Sequence, residues 1–391
     1  MRSHRVPGTL EPNTWARRLA QRRAAQAPLL DLTETNPTRV GLGGAGEAEL
    51  AALADAGNTP YEPDPRGLAS AREAVSEYYA ARGQAVPPDD IVLTSGTSES
   101  YAHLFRLLGD PDDAILIPSP SYPLFEPIAT LEGIRVAPYR MAYDGAWHLD
   151  VGSVDAALAT HPRARAVVVV QPNHPTGSCL DAGEIAALER SCESRGMALI
   201  SDEVFGDFPW PPAKDPLPSL LALRRVPTFV LGGLSKCCGM PQMKLGWIAA
   251  AGPARERREL LDGLEWIADL FLSVGTPVQL ALPLLLEARR GFQARVGERL
   301  ACNLSTLDDL ARSNSEVTRL PAGGGWSAIL RVPARRTGEE WALALLDRDV
   351  VAHPGHFYDL EGEAFLVLSL IPEPGAFRCA VGRLAELLAN P

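Results

Sequence analysis

The chain has 391 residues, 46% of them hydrophobic and 22% charged, and a net charge of −11. That composition suits a folded globular protein with one large core and room for a second, smaller unit. The acidic balance argues against a nucleic-acid partner, which needs clustered lysine and arginine; Arg22-Arg23, Arg289-Arg290 and Arg335-Arg336 are isolated pairs suited to solvated faces.

Residues 1–10 lack the apolar centre of a signal peptide, and residues 14–26 form one helix rich in Ala and Arg. From about residue 90 to 250, short apolar runs alternate with amphipathic stretches. The runs are 91–93, 114–117, 166–170, 198–200, 228–231 and 246–250, and the stretches between them include 98–108 and 182–195. Continuously apolar strands separated by helices imply a mostly parallel sheet covered on both faces, an α/β architecture. Val167-Val168-Val169-Val170 is the clearest central strand.

A long helical region, 260–310, follows. Its apolar stretch 280–286 is interrupted by Pro283 and is too short to span a bilayer. The chain then reads strand 326–332, helix 339–347, strand 365–370 and helix 376–389, the pattern of a smaller α+β domain. The expected division is 1–40 as an N-terminal arm with part of the small domain, 41–275 as the large domain and 276–391 as the small one. Six dispersed cysteines, at 179, 192, 237, 238, 302 and 379, have no metal-ligand spacing and read as reduced thiols of a cytoplasmic protein, with no metal.

In a parallel sheet of this kind, ligands gather at the carboxyl ends of the strands. Each strand end here carries reactive or anion-binding residues. Thr94-Ser95-Gly96-Thr97-Ser98-Glu99 opens a helix whose free N–H groups can hold a phosphate, although a capping box formed by Ser95 with Ser98 or Glu99 is the simpler alternative. Tyr122 follows from a proline-rich turn, then Asn173-His174-Pro175-Thr176-Gly177, then Asp202 in Ser201-Asp202-Glu203-Val204-Phe205. Lys236, in Gly232-Gly233-Leu234-Ser235-Lys236, ends a buried strand, where poor solvation favours a neutral amine able to form a Schiff base with an aldehyde. A phosphate cradle, an aromatic ring, a strand-end acid and a buried amine match the needs of pyridoxal 5′-phosphate.

On these motifs, in this order and spacing, the chain resembles the class I/II aminotransferases, fold-type I pyridoxal-phosphate enzymes. The resemblance implies a large domain built on a mostly parallel seven-stranded sheet, beside a smaller α+β domain. It further implies that Lys236 carries the cofactor and shuttles a proton, that Asp202 pairs with the pyridine nitrogen, and that Tyr122 stacks on the ring. Ser95, Gly96, Thr97 and Lys244 would bind the phosphate. Tyr61 would reach the phosphate of a second subunit, giving a homodimer with shared sites, and Asn36 lies in the segment that closes over the substrate.

Four positions depart from the family pattern. His174 stands where relatives have the asparagine that bonds the cofactor's phenolic oxygen, so either His174 or Asn173 takes that contact. Phe205 replaces a tyrosine that shares it. Gly233 replaces a phosphate-binding serine, and Val367 replaces the arginine that clamps the substrate carboxylate. Arg39 is the proposed substitute for that arginine; otherwise the substrate lacks a carboxylate there.

The expected activity is transfer of an amino group between an amino acid, or a related amine, and a 2-oxo acid. The alternative is a β-lyase, decarboxylase or other non-transaminating enzyme on the same fold. Gly41-Leu42-Gly43-Gly44-Ala45-Gly46 matches a dinucleotide fingerprint but follows Pro37 rather than a strand, which makes a dehydrogenase a poor reading.

Overall fold

A computed structural model describes residues 3–7, 11–43, 45–213, 217–360, 362 and 364–389. Residues 1–2 and 8–10 of the N-terminal segment, and Gly44 of the glycine run, lie outside the described residues. Each apolar run of the central region is a strand, and the reason is visible side chain by side chain. Val167 and Val169 enter the core on one face of the sheet, while Ala166, Val168 and Val170 enter the core on the other. A strand covered on both faces has no polar side to show in its sequence.

The sheet order is Ile91–Thr94, Gly246–Ala251, Thr228–Gly233, Ala198–Asp202, Ala164–Val170, Ala114–Ser119, Arg135–Tyr143 and Trp147–Leu149. Gly246–Ala251 runs antiparallel to both neighbours. The four pairings that join Thr228–Gly233 through to Arg135–Tyr143 are parallel. Trp147–Leu149 folds back on Arg135–Tyr143 as a short eighth strand beyond the seven expected. Helices Thr97–Leu108 and Ala254–Asp269 contribute to the core on one face, Ala69–Ala80 and Ala182–Arg195 to that on the other.

A smaller antiparallel sheet, ordered Thr318–Arg319, Ser327–Arg331, Phe365–Ser369 and His353–Pro354, packs with helices Gly338–Leu346 and Pro374–Ala389. The N-terminal segment is tied to this unit. Leu30–Asp31 pairs in parallel with Val350–Val351, and Trp15 packs edge-on against Phe357.

The helical region is two helices, Ala254–Asp269 and the 38-residue Thr276–Ser313. Pro283 lies inside the second without ending it. It sits on the exposed side, where water can satisfy the carbonyl its missing N–H leaves free. Val278, Ala281, Leu282, Leu285 and Leu286 of this helix belong to the core of the large sheet, whereas Phe292, Val296, Leu300 and Leu304 belong to that of the small unit. We propose that the two units divide inside this helix, between Leu286 and Phe292, rather than at the expected 275/276.

Candidate active site

Strand register sets the geometry of the site. Asp202 is the last paired residue of its strand, opposite Val170 on one side and Leu231 on the other. Lys236 follows the Leu231 strand in the short helix Leu234–Cys237. Asp202 and Lys236 therefore emerge at the same edge of the sheet. A cavity of about 310 Å³ opens there, lined by Thr97, Ser98, Tyr101, Tyr122, His174, Asp202, Phe205, Ser235 and Lys236 among others.

Asp202 is 9% exposed. One carboxylate oxygen accepts the Val204 backbone N–H at 3.1 Å and the other accepts the Tyr101 hydroxyl at 3.0 Å. Both donors are neutral, so burial dominates and raises the acid to about 6, with Lys236 pulling it down only weakly. Lys236 is half-buried, its Nζ 5.1 Å from the centroid of the Trp326 ring and 5.4 Å from that of Phe205. Loss of water lowers its amine to about 8, against the opposing pull of Asp202.

The Thr97–Leu108 helix starts after Gly96, and no side chain caps it. Glu99 instead accepts the Ser95 N–H at 2.6 Å, one residue before the Gly96 cap, which leaves the first helical N–H groups without a side-chain partner among the described residues. Gly96 has φ +152°, and a Cβ placed there would lie 4.0 Å from Lys244 Nζ. Ser95, Gly96, Thr97 and Lys244 thus surround one uncapped helix end. At Gly233, a Cβ would sit 3.0 Å from the Gly246 Cα and 3.1 Å from the Leu245 carbonyl oxygen. The neighbouring strand approaches closely there, so a side chain at this position would require it to shift by a few tenths of an ångström.

The structure separates Asn173 from His174. The Asn173 amide is buried in its own loop, donating to the Pro120 carbonyl at 2.9 Å and to Thr176 Oγ1 at 3.1 Å, and accepting from Ser121 Oγ at 3.3 Å. His174 lines the cavity, with Nδ1 3.3 Å from Ser327 Oγ and its ring edge-on to those of Tyr122 and Tyr358. Burial, then the nearby charge of Lys236, pushes His174 down to about 3, so its imidazole is neutral at physiological pH. Phe205 stacks on it at 6.1 Å.

Seven expected site residues do not line this cavity: Ser95, Gly96 and Lys244 at the helix end, Asn173 in its loop, and Asn36, Arg39 and Tyr61. Asn36 Oδ1 caps the turn Pro37–Arg39 through Thr38, and the Arg39 side chain is 74% exposed beside Glu34; Thr35 is the residue of that segment that reaches the lining. Tyr61 is 81% exposed and lines a separate groove with Leu68, Ala268 and Leu272. Val367 is buried between Ile329 and His353 of the adjoining strands. Sequence reasoning missed Tyr101, Thr35, Ser98 and Ser235. Tyr101 had one available signal, its position four residues after Thr97 on the same helix face.

Fold and site together define a fold-type I pyridoxal-phosphate enzyme. A family model for aminotransferases of class I and II matches residues 35–333, and the chain belongs to that family. It is 28% identical over 225 residues to the glutamate-pyruvate aminotransferase AlaA of Escherichia coli strain K12, a match that spans 56% of this chain and 54%, about half, of that relative. The AlaA protein of Haemophilus influenzae is 24% identical over 371 residues, 93% of this chain and 91% of its own length. A Thermus thermophilus aspartate aminotransferase mutant has the same fold with a TM-score of 0.81 at 25% identity, over 99% of this chain and 100% of that one. The fold also matches the crystal structure of an Escherichia coli aminotransferase, at a TM-score of 0.85 and 22% identity, over 100% of this chain and 98% of that one.

The family's cofactor is pyridoxal 5′-phosphate, and the residues fit it. A buried carboxylate with no cation in contact among the described residues calls for one, as a protonated pyridine provides. An uncapped helix end facing a lysine calls for an anion, as a phosphate provides.

The displaced amine has a measurable consequence for the apoprotein. Its burial cost is fully present below the folded value of about 8 and fades as pH rises toward the ordinary 10.5. With the shift discounted for partial exposure, Lys236→Met should be more stable than the native apoprotein by about 1–2 kcal/mol at pH 7. Denaturant melts should show that gap closing between pH 8 and 10.5; a gap that stays constant or widens would contradict the assignment.

Proposed function

We propose that this protein is a pyridoxal-phosphate-dependent aminotransferase that moves an amino group between an amino acid, or a related amine, and a 2-oxo acid. The convergence of Lys236 and Asp202 on one strand-end cavity is the observation that carries the reading. When bound, the cofactor supplies an aldehyde for condensation with an amine and a protonated ring that draws electrons from the adjacent carbon.

Each side chain then has a defined task. Lys236 would hold the aldehyde carbon through Nζ and, when that amine is free, would accept and return a proton there. Asp202 holds the proton on the pyridine nitrogen. Ser95, Gly96, Thr97 and Lys244 bind the phosphate, and Tyr122 covers the ring. Neutral His174 donates to the phenolic oxygen, a task Phe205 cannot share without a hydroxyl. Asn173 acts indirectly, by fixing the loop that presents His174.

The sites are proposed to be shared across a homodimer. Support comes from Tyr61, exposed near the apolar surface residues Leu270, Phe271 and Leu272, an arrangement a second subunit would cover. None of the described helices is long and apolar enough to cross a membrane, and the six cysteines are free, as suits the proposed cytoplasmic location.

The relatives' names make glutamate and pyruvate the first substrates to test. A likeness to the S-alkyl-thiohydroximate lyase SUR1 of Arabidopsis thaliana, 29% identical over 62% of this chain and 53% of that one, gives the lyase alternative its own test. Holoenzyme given a panel of amino acids and 2-oxo acids should form one new 2-oxo acid for every new amino acid. Cleavage of a sulfur substrate without amino-group transfer would replace the reading with lysis.

For His174, the expected effect of His174→Ala is spectral. The midpoint of the cofactor's visible band should rise in pH, because the phenolic oxygen, deprived of a donor, holds the shared proton more tightly. An unmoved midpoint would remove His174 from that contact.

A further inference from the structure

The Thr97–Leu108 helix touches the cavity twice, at Thr97 and Ser98 in its first turn and at Tyr101 one turn later. Tyr101 is 3% exposed and its hydroxyl donates to Asp202 at 3.0 Å. The ring is fixed from two sides, by Phe125 edge-on at 5.1 Å and by Phe105 at 5.8 Å. Lys236 and Tyr122 are the other titratable groups that feel the Asp202 charge. The nearby Tyr139 belongs to the core on the other face of the sheet, and its hydroxyl donates to the Val168 carbonyl at 2.8 Å.

We propose that Tyr101 is a positioning residue that keeps Asp202 in its anionic form and aims it at the cofactor's ring nitrogen, so that a single helix anchors the phosphate at one end and sets the ring's protonation at the other. The inference rests on the reading of Asp202 as the partner of that nitrogen. Its physical basis is simple. A proton shared between a carboxylate and a pyridine sits on the nitrogen only if the carboxylate is otherwise stabilised as an anion. With no second cation in contact with Asp202 among the described residues, the phenol O–H and the Val204 N–H do that. Without the phenol, the proton moves toward Asp202, the pair becomes neutral and the hold on the ring weakens.

The test uses holoenzyme loaded with cofactor labelled with ¹⁵N in the ring. In the native protein the ring nitrogen should resonate as a protonated pyridinium. Tyr101→Phe, which keeps the ring packing and removes only the hydroxyl, should move that resonance toward the unprotonated value and raise the cofactor's dissociation constant about ten-fold, the loss of one charge-assisted hydrogen bond. Replacing Tyr101 with 3,5-difluorotyrosine, a stronger donor, should move the resonance the opposite way. This second variant keeps the test intact even if the phenylalanine variant folds poorly. A purely structural role would move neither resonance, and unchanged ¹⁵N shifts in both variants would overturn the proposal. An unprotonated ring in the native enzyme would instead overturn the assignment of Asp202, and this inference with it.

Discussion

A carboxylate buried without a cation in contact among the described residues is the constraint on which the site depends. In water Asp202 would be an ordinary anion; at the end of its strand it is raised to about 6, and Lys236 nearby is lowered to about 8. Both groups are driven toward neutrality by the same loss of solvent. Neither is stabilising as it stands, and this is how functional sites commonly differ from structural ion pairs. A ligand that brings a cation to the acid and an aldehyde to the amine relieves both at once.

The large sheet makes that arrangement possible. Its register puts Val170, Asp202 and Leu231 side by side, so the acid and the amine-bearing turn share one edge without long loops to position them. Close backbone approach keeps the turn narrow. Gly232 has the Trp247 indole 2.5 Å from where its Cβ would be, and Gly233 has Gly246 at 3.0 Å. A side chain at Gly233 would press on the Gly246 backbone unless that strand shifted by a few tenths of an ångström, and Lys244 lies near the uncapped helix end. Lysine is sparse in this chain: Lys214, Lys236 and Lys244 are all there are among 37 basic residues. Lys214 lies outside the described residues, and the other two lie at the site. At position 236 only lysine can lose its proton.

Much of this was legible in the sequence, because strands buried on both faces announce themselves as unbroken apolar runs. Arg135–Tyr143 was not seen, since only Ala137, Tyr139 and Met141 of its alternating pattern are buried and Arg135, Pro138 and Arg140 interrupt any run. A search for period-two alternation would have found it. The helical reading of 260–310 passed through Pro283, and what it lacked was the gap between Asp269 and Thr276 that divides the region into two helices. Among site residues, the strand-end set was readable because its chemistry is tied to position along the sheet. The split between Asn173 and His174 was not, since adjacent residues in a turn point in opposite directions and only the loop's own hydrogen bonds decide which faces inward. Tyr101 carried no motif; its role comes from the distance between a helix and a strand that are far apart in the chain.

The most direct measurement is covalent capture. Protein loaded with pyridoxal 5′-phosphate, reduced with borohydride and mapped by peptide mass should carry one phosphopyridoxyl group, on Lys236, and Asp202→Ala should bind the cofactor more weakly while still yielding that adduct at high concentration. A protein that stays colourless with the cofactor, or an adduct on Lys214 or Lys244 in place of Lys236, would contradict the account.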